Sequence, residues 1–261
     1  LGHKIIIQNT VFKIYDGREQ VILTAIVNAL ILVPFILLMS PAGFCSDKYP
    51  KNRVMLMTSV AAVILTLFIT LFYYLGWFWP AYVMTLMLAI QSALYSPAKY
   101  GYIRELVGDS HLARANGIVQ ATTTVAILAG ILAFSVLFEA FLASDIYTSR
   151  AELLQRIAPI GWCLVLFSLV EVGMALKLPQ RQPVNTRMQF DWRQYNRGGY
   201  LRFNLQVVLE RRIILYSVIG LAIFWAISQV MLAAFPAYAK EIMAITNTVV
   251  IQGMLACAGI G

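Results

Sequence analysis

Ser96-Pro97-Ala98-Lys99-Tyr100-Gly101 closes a run of membrane-grade apolar residues and puts an ammonium at or inside a bilayer. A lysine at the centre of a spanning helix costs about 2.5–3.5 kcal/mol on insertion scales, and less near a helix end. Such a charge snorkels to water, pairs with an acid or lines a polar path. Gln91 and Tyr95 precede Lys99 by eight and four residues, so on a helix all three share a face. They extend a polar stripe along the path, or they hydrogen-bond to neighbouring helices. His3 and Lys4 stand in the first apolar segment, and Glu171 is the only acid well inside one. A carboxyl at Glu171 can serve ion or proton coupling, or it can bond another helix. Other chemistries lack their parts. There is no Gly-rich lysine loop for a nucleotide. The two histidines, His3 and His111, and the isolated Cys45, Cys163 and Cys257 offer no metal spacing and no disulfide framework, so no cofactor is expected.

The elements that must position these groups are helices. The 261-residue chain is 60% hydrophobic and 12% charged, against about 25% charge in soluble domains. Its apolar residues come in blocks of the ~20 residues that a spanning helix needs, not in the short alternating segments of a barrel. Eight blocks are legible, at 1–15, 20–43, 54–75, 80–98, 114–142, 157–178, 213–239 and 247–261. The first and last read as cut, which marks the chain as a fragment.

Lys and Arg collect on the cytoplasmic side of a membrane protein. Here fourteen basic residues fall in alternate loops: Lys48, Lys51 and Arg53; Lys99, Arg104 and Arg114; and Lys177, Arg181, Arg187, Arg193, Arg197, Arg202, Arg211 and Arg212. The opposite loops carry Lys13, Arg18, Arg150, Arg156 and Lys240. The net charge of +8 is therefore topological, and no nucleic-acid partner is implied. Trp77, Trp79, Tyr73 and Tyr74 read as an interfacial belt at the outer end of the third block. The domain reading is a six-helix bundle over 1–178, a basic cytoplasmic linker over 179–212, and the start of a second bundle over 213–261. Within the linker, Tyr200 to Arg212 reads as apolar on one side and basic on the other. It lies on the inner leaflet surface, or it is a solvated linker with a helical end.

The loop after the second block reads Gly43-Phe44-Cys45-Ser46-Asp47-Lys48-Tyr49-Pro50-Lys51-Asn52-Arg53. This resembles the signature of the major facilitator superfamily between its second and third helices, with Pro50 where that signature has glycine. The resemblance implies an all-α integral membrane bundle: a six-helix N-terminal half plus the start of the C-terminal half. In it Gly43, Asp47, Lys48, Lys51 and Arg53 form a gating motif. Gly43 lets two helices approach, Asp47 meets a helix N-terminus or a cation, and the basic residues latch a gate.

Tyr95 to Gly101, then Glu105-Leu106 and Ala115-Asn116-Gly117, resemble the bacterial lysophospholipid transporter family within that superfamily, as does Lys51-Asn52-Arg53-Val54-Met55. The match is good over the second to fifth helices and loose elsewhere. It implies movement of lysophosphatidylethanolamine-like lipids across the inner membrane to the cytoplasmic leaflet for re-acylation. An acyltransferase and an acyl-ligase would be fused or encoded beside it, and membrane lipid would be the other partner. Lys99 would hold the lipid phosphate, Tyr95 and Gln91 would extend the path, and Lys4 would pair with a first-helix acid or serve as a headgroup ligand. In the seventh block some lysolipid transporters carry a basic residue. Here none stands between Arg212 and Lys240.

Catalysis within the chain is not expected. Acyltransferases of this kind need a His and an Asp with four residues between them, and His111 is followed at that spacing by Asn116. The alternatives are an ion-coupled superfamily carrier for another small solute or drug, and a membrane scaffold for a fused enzyme.

Overall fold

The computed structural model describes residues 1–142, 149–180 and 189–260, with side chains through 257. Arg181 and Arg187 of the basic linker, and Gly261, lie outside the described residues. The described elements are all helical: α1 (Gly2–Ile14), α2 (Gly17–Leu37), α3 (Met39–Lys48), α4 (Lys51–Tyr74), α5 (Phe78–Phe141), α6 (Arg150–Ile157), α7 (Ile160–Leu176), α8 (Trp192–Asn196), α9 (Gly199–Glu210), α10 (Arg212–Glu241) and α11 (Thr248–Ile260).

Four of the expected blocks are built differently. The second divides at Leu38 into α2 and α3. Pro34 removes one backbone donor near the end of α2, and Pro41 sits in the first turn of α3, where a helix has no use for that donor. The sixth is a bent pair, α6 and α7, at 50°. Ser149 caps α6 by accepting a bond from the Glu152 N–H at 3.2 Å.

The fourth and fifth blocks, and the loop expected between them, form the 64-residue α5, which runs unbroken through Pro97. A straight helix of that length would measure about 96 Å, three times the ~30 Å hydrocarbon core. It is not straight. Gly108 adopts φ 71, ψ 174, a conformation that only glycine takes readily. Phe78, Ala81 and Tyr82 at one end share a core with Phe134, Phe138 and Leu142 at the other. The end of α1 touches both: Tyr15 meets the Phe78 ring at 6.2 Å, and Lys13 bonds Glu139 at 3.0 Å. The chain therefore folds back at Gly108 into two antiparallel limbs.

Among the described residues α2, α4, α5 and α10 are long and apolar enough to cross a membrane, and the α6–α7 pair makes a fifth candidate. The protein is a multi-pass membrane protein. Side chains such as Ile36, Met57, Phe167 and Met174 point outward at 62–72% exposure, as expected where lipid is the solvent. Between helices, close approach depends on small residues. A Cβ on Gly161 of α7 would stand 2.5 Å from Thr70 Oγ1 of α4, and one on Gly2 would meet Phe134 at 2.5 Å. Gly43, where approach was expected, faces open space, as does Gly117.

The helix ends form two groups. The end with Lys48, Lys51, Lys99 and Lys177 is here termed the basic end, and the end with Lys13, Trp77 and Lys240 the far end. At the far end Trp77, Trp79 and Tyr74 are about half exposed, as an interfacial belt requires, and Trp162 donates to Tyr74 Oη at 3.2 Å. Tyr73 does not join them. It is fully buried and bonded to His3.

Candidate functional site: a lysine-lined cleft between two closures

The cleft forms where the two limbs of α5 diverge toward the basic end. Lys99 stands on the first limb, and Ile118, Val119, Thr122, Thr123, Ala126 and Ile127 on the second. With Leu1 they line a shallow open space of ≈ 480 Å³. Its walls are apolar apart from one ammonium and two hydroxyls. Lys99 Nζ lies 5.6 Å from the Tyr100 ring and makes no ion pair among the described residues. Thr122 and Thr123 bring the hydroxyls of the second limb to the same space as Lys99.

The other path candidates separate. Tyr95 packs beside Val54, Met55, Ala98 and Tyr102, between α4 and α5. It lies within electrostatic range of Glu171. Glu171 Oε1 accepts a bond from Ser59 Oγ at 2.9 Å, which ties α7 to α4. Gln91 is buried, and its Oε1 accepts from the adjacent Ser92 at 3.3 Å. His3 is enclosed, with Nδ1 2.7 Å from Tyr73 Oη and Nε2 3.3 Å from Thr85 Oγ1, so both ring nitrogens are engaged away from the cleft. Lys4 is half-buried one residue on. Asn28 accepts from Gln8 Nε2 at 3.4 Å across α1 and α2.

At the basic end the loop motif is an interlocked closure. Lys51, the first residue of α4, is 4% exposed. Its stem crosses Gly101, where an added Cβ would stand 2.6 Å from Lys51 Cε, and its ammonium meets Glu105 Oε1 at 2.5 Å. Gly101 and Glu105 are one turn apart on α5, so one supplies the passage and the other the counter-charge. Glu105 Oε2 and Asn52 Oδ1 are buried without partners among the described residues. Lys48 lies 5.2 Å from the Phe44 ring. Asp47 is half-buried and Arg53 exposed, and neither side chain makes a hydrogen bond or ion pair among the described residues.

At the far end a second closure joins α10 and α11 to the earlier helices. Glu139 takes Lys13 on Oε2 at 3.0 Å and the backbone N–H of Thr248, near the start of α11, on Oε1 at 2.6 Å. Lys240 pairs with Asp16 at 2.6 Å and donates to the carbonyls of Phe12 and Tyr15 at 2.8 and 3.1 Å. One layer deeper, Gln252 Nε2 donates to Asn9 Oδ1 at 3.1 Å, and Asn9 Nδ2 donates to Ser135 Oγ at 3.3 Å. A small cavity of ≈ 20 Å³ beside this layer has room for about one water. The buried residues of α10, Pro236, Ala237 and Ala239, all lie toward this end.

Residues 15–261 match the family described as Major Facilitator Superfamily. The chain belongs to the major facilitator superfamily. Among curated relatives, the lysophospholipid transporter LplT of Photorhabdus laumondii is 35% identical over 107 residues, covering 40% of this chain and 25% of that protein. The transporter of the same name from Serratia proteamaculans is 26% identical over 218 residues, 82% of this chain and 47% of its own length. That of Yersinia pestis is 24% identical over 217 residues, 82% and 46%. The chain thus spans about half the length of the two relatives that match most of it. No solved structure matches.

In this superfamily member, sequence reasoning missed the closures more than the cleft. Glu105 was visible only as part of a resemblance, although its one-turn spacing from Gly101 was a usable signal. Lys13, Glu139, Asp16 and Lys240 read as loop charges or went unremarked. Nothing local pairs residues that are 126 or more positions apart.

Proposed function

We propose that this chain is the first half, and the beginning of the second, of a carrier that moves lysophospholipids to the cytoplasmic leaflet of the bacterial inner membrane. The observation that carries this reading is the cleft: one ammonium, at Lys99, at the edge of apolar walls. A lysophospholipid is a single acyl chain under an anionic phosphate, and its two parts match those two features. Lys99 holds the phosphate, Thr122 and Thr123 donate to headgroup oxygens, and the chain lies along Ile118 to Ile127 or in lipid. The names of the relatives support the same class of cargo.

The basic end faces the cytoplasm. Residues 1–178 form the six-helix half, 179–212 the linker, and 213–261 the start of the second half. The closure at Lys51–Glu105 and the closure at Glu139–Thr248 stand at opposite ends, as alternating access about a midplane site requires. Asp47 and Arg53 complete the basic-end gate, and Glu171 is the group placed to couple an ion or proton. Re-acylation would fall to an acyltransferase and acyl-ligase acting on the delivered lipid. No catalytic role is assigned to this chain.

The test follows labelled lysophosphatidylethanolamine from the outer to the inner leaflet in proteoliposomes of the intact protein, with and without an ion gradient. A charge-assisted hydrogen bond is worth about 1.5–3 kcal/mol, so Lys99→Ala is expected to cut transport about tenfold or more. Parent-rate transport by folded Lys99→Ala would remove Lys99 from the mechanism. Absence of lysolipid transport by the folded parent would favour an ion-coupled carrier of another solute.

A further inference from the structure

The linker carries an apolar surface that the transport cycle does not use. On α9, Leu201, Leu205 and Leu209 lie one turn apart and are 51–60% exposed, and Phe203 is 63% exposed. No residue of α9 is buried. The expected division into an apolar and a basic side is not what the helix shows. Of its polar residues, Arg202, Gln206 and Glu210 form a narrow strip, Asn204 stands on the opposite side, and the rest of the circumference is apolar. The charges collect at its ends instead. From Asp191 to Arg212 there are five arginines against two carboxylates, and Asp191 is already occupied in capping α8.

The position of α9 is fixed at both ends. At its C-terminus a single extended residue, Arg211 (φ −113, ψ 97), separates it from the membrane-crossing α10. Its N-terminus is held by an aromatic cluster. Phe190 stacks on Tyr200 at 5.5 Å and meets Phe44 of α3 at 5.2 Å, and Tyr195 donates to the Leu37 carbonyl at the end of α2. Helix α9 therefore lies across the basic end, between α3 and the start of α10.

We propose that α9 and the arginines flanking it form a docking surface for the anionic lipids of the leaflet at the basic end. The leucine strip enters the acyl boundary, the polar strip faces water, and Arg197, Arg202, Arg211 and Arg212 hold lipid phosphates. Charge complementarity favours this occupant, because an anionic leaflet offers acyl chains to the leucines and phosphates to the arginines in one surface. Through Phe190 and Phe44 the bound surface is mechanically joined to α3, which carries Asp47 and Lys48, so leaflet charge biases the gate. The inference rests on the basic end facing the cytoplasmic leaflet and does not depend on the cargo.

The test is a depth measurement, independent of transport. In the intact protein, with Cys45, Cys163 and Cys257 replaced by serine, a spin label is placed at Leu205→Cys or at Gln206→Cys. Each is reconstituted in phosphatidylcholine vesicles with and without phosphatidylglycerol. Collision rates with oxygen and with a water-soluble nickel chelate report depth. The expected result is an oxygen-dominated signal at 205 and a nickel-dominated signal at 206. An arginine near an anionic surface changes partitioning about fivefold, so nickel access at 205 should fall by at least that factor when phosphatidylglycerol is added. Arg202→Ala/Arg211→Ala should reverse the fall. Equal nickel access at both positions would overturn the proposal in favour of a solvated linker. Shielding of 205 from both reagents would overturn it in favour of a protein cover. Depth that ignores lipid charge would overturn the anionic preference.

Discussion

Lys51 and Lys99 show how two lysines of one helical hairpin take different roles. Lys51 is buried with a carboxylate, and Lys99 is half-buried without one. The first arrangement is structural and has a measurable signature. Removing one member of a buried ion pair leaves an uncompensated charge at a cost of roughly 3–5 kcal/mol, whereas replacing both members with apolar groups is often neutral. Glu105 keeps 23% side-chain exposure, which places this pair toward the lower end of that range. Lys51→Met is therefore expected to destabilise the folded protein by about 3 kcal/mol, and Lys51→Met/Glu105→Leu to recover most of it, read by thermal unfolding in detergent. Additive losses in the double variant would mean that the pair is not coupled. Gly101→Ala is a steric version of the same test, because its Cβ would displace the Lys51 stem.

Helix α5 is the element on which the site depends, since its two limbs build both the cleft and the core. The reversal rests on Gly108. Placing a side chain at its positive φ costs about 1–3 kcal/mol, so Gly108→Ala should lower stability by that amount or move the bend. Gly117, helical and facing open space, is the matched control: Gly117→Ala is expected to be neutral or to stabilise by about 0.4–1 kcal/mol. Thermal unfolding of the two variants side by side decides the matter, and similar midpoints would deny Gly108 its role. The element also explains why the expected loop at 99–114 is helical. Arg104, Glu105 and Leu106 are good helix formers, Ala98 and Tyr102 are buried against α4, and Tyr102 donates to the Pro179 carbonyl at 2.8 Å. Tertiary contact carries the helix through Pro97.

At the scale of the molecule, the contacts that hold α10 and α11 to the earlier helices gather at the far end, and their strengths are unequal. Asp16 is 76% exposed, so its pair with Lys240 contributes no more than about 1 kcal/mol. Lys13 and Glu139 are 8% and 19% exposed, and Glu139 also holds the start of α11. Glu139 is therefore the residue to change. Glu139→Ala should loosen the far end and speed modification of Ile251→Cys by a membrane-impermeant maleimide about tenfold, the factor for 1.4 kcal/mol. Ile251 is 2% exposed and packs with Phe12 and Ala239, so its reactivity reports that closure directly. An unchanged rate would show that apolar packing alone keeps the far end shut.

The sequence by itself determined the class of the protein, the positions of its apolar blocks, the alternation of basic loops and the superfamily motif. These are local properties: a bilayer reads hydropathy over about twenty residues at a time, and lysine and arginine sort by side whatever they later touch. It also singled out Lys99, because an unneutralised charge beside an apolar run is visible without a partner. Only the tertiary structure decided the rest. Lys51 finds Glu105 across 54 positions and Lys13 finds Glu139 across 126. Tyr73 leaves the belt for His3, and the second limb of α5 supplies the wall opposite Lys99. Each of these outcomes depends on which helix faces which. That choice is made by packing small residues against large ones and by satisfying buried polar groups, and neither is written in the spacing of any one segment.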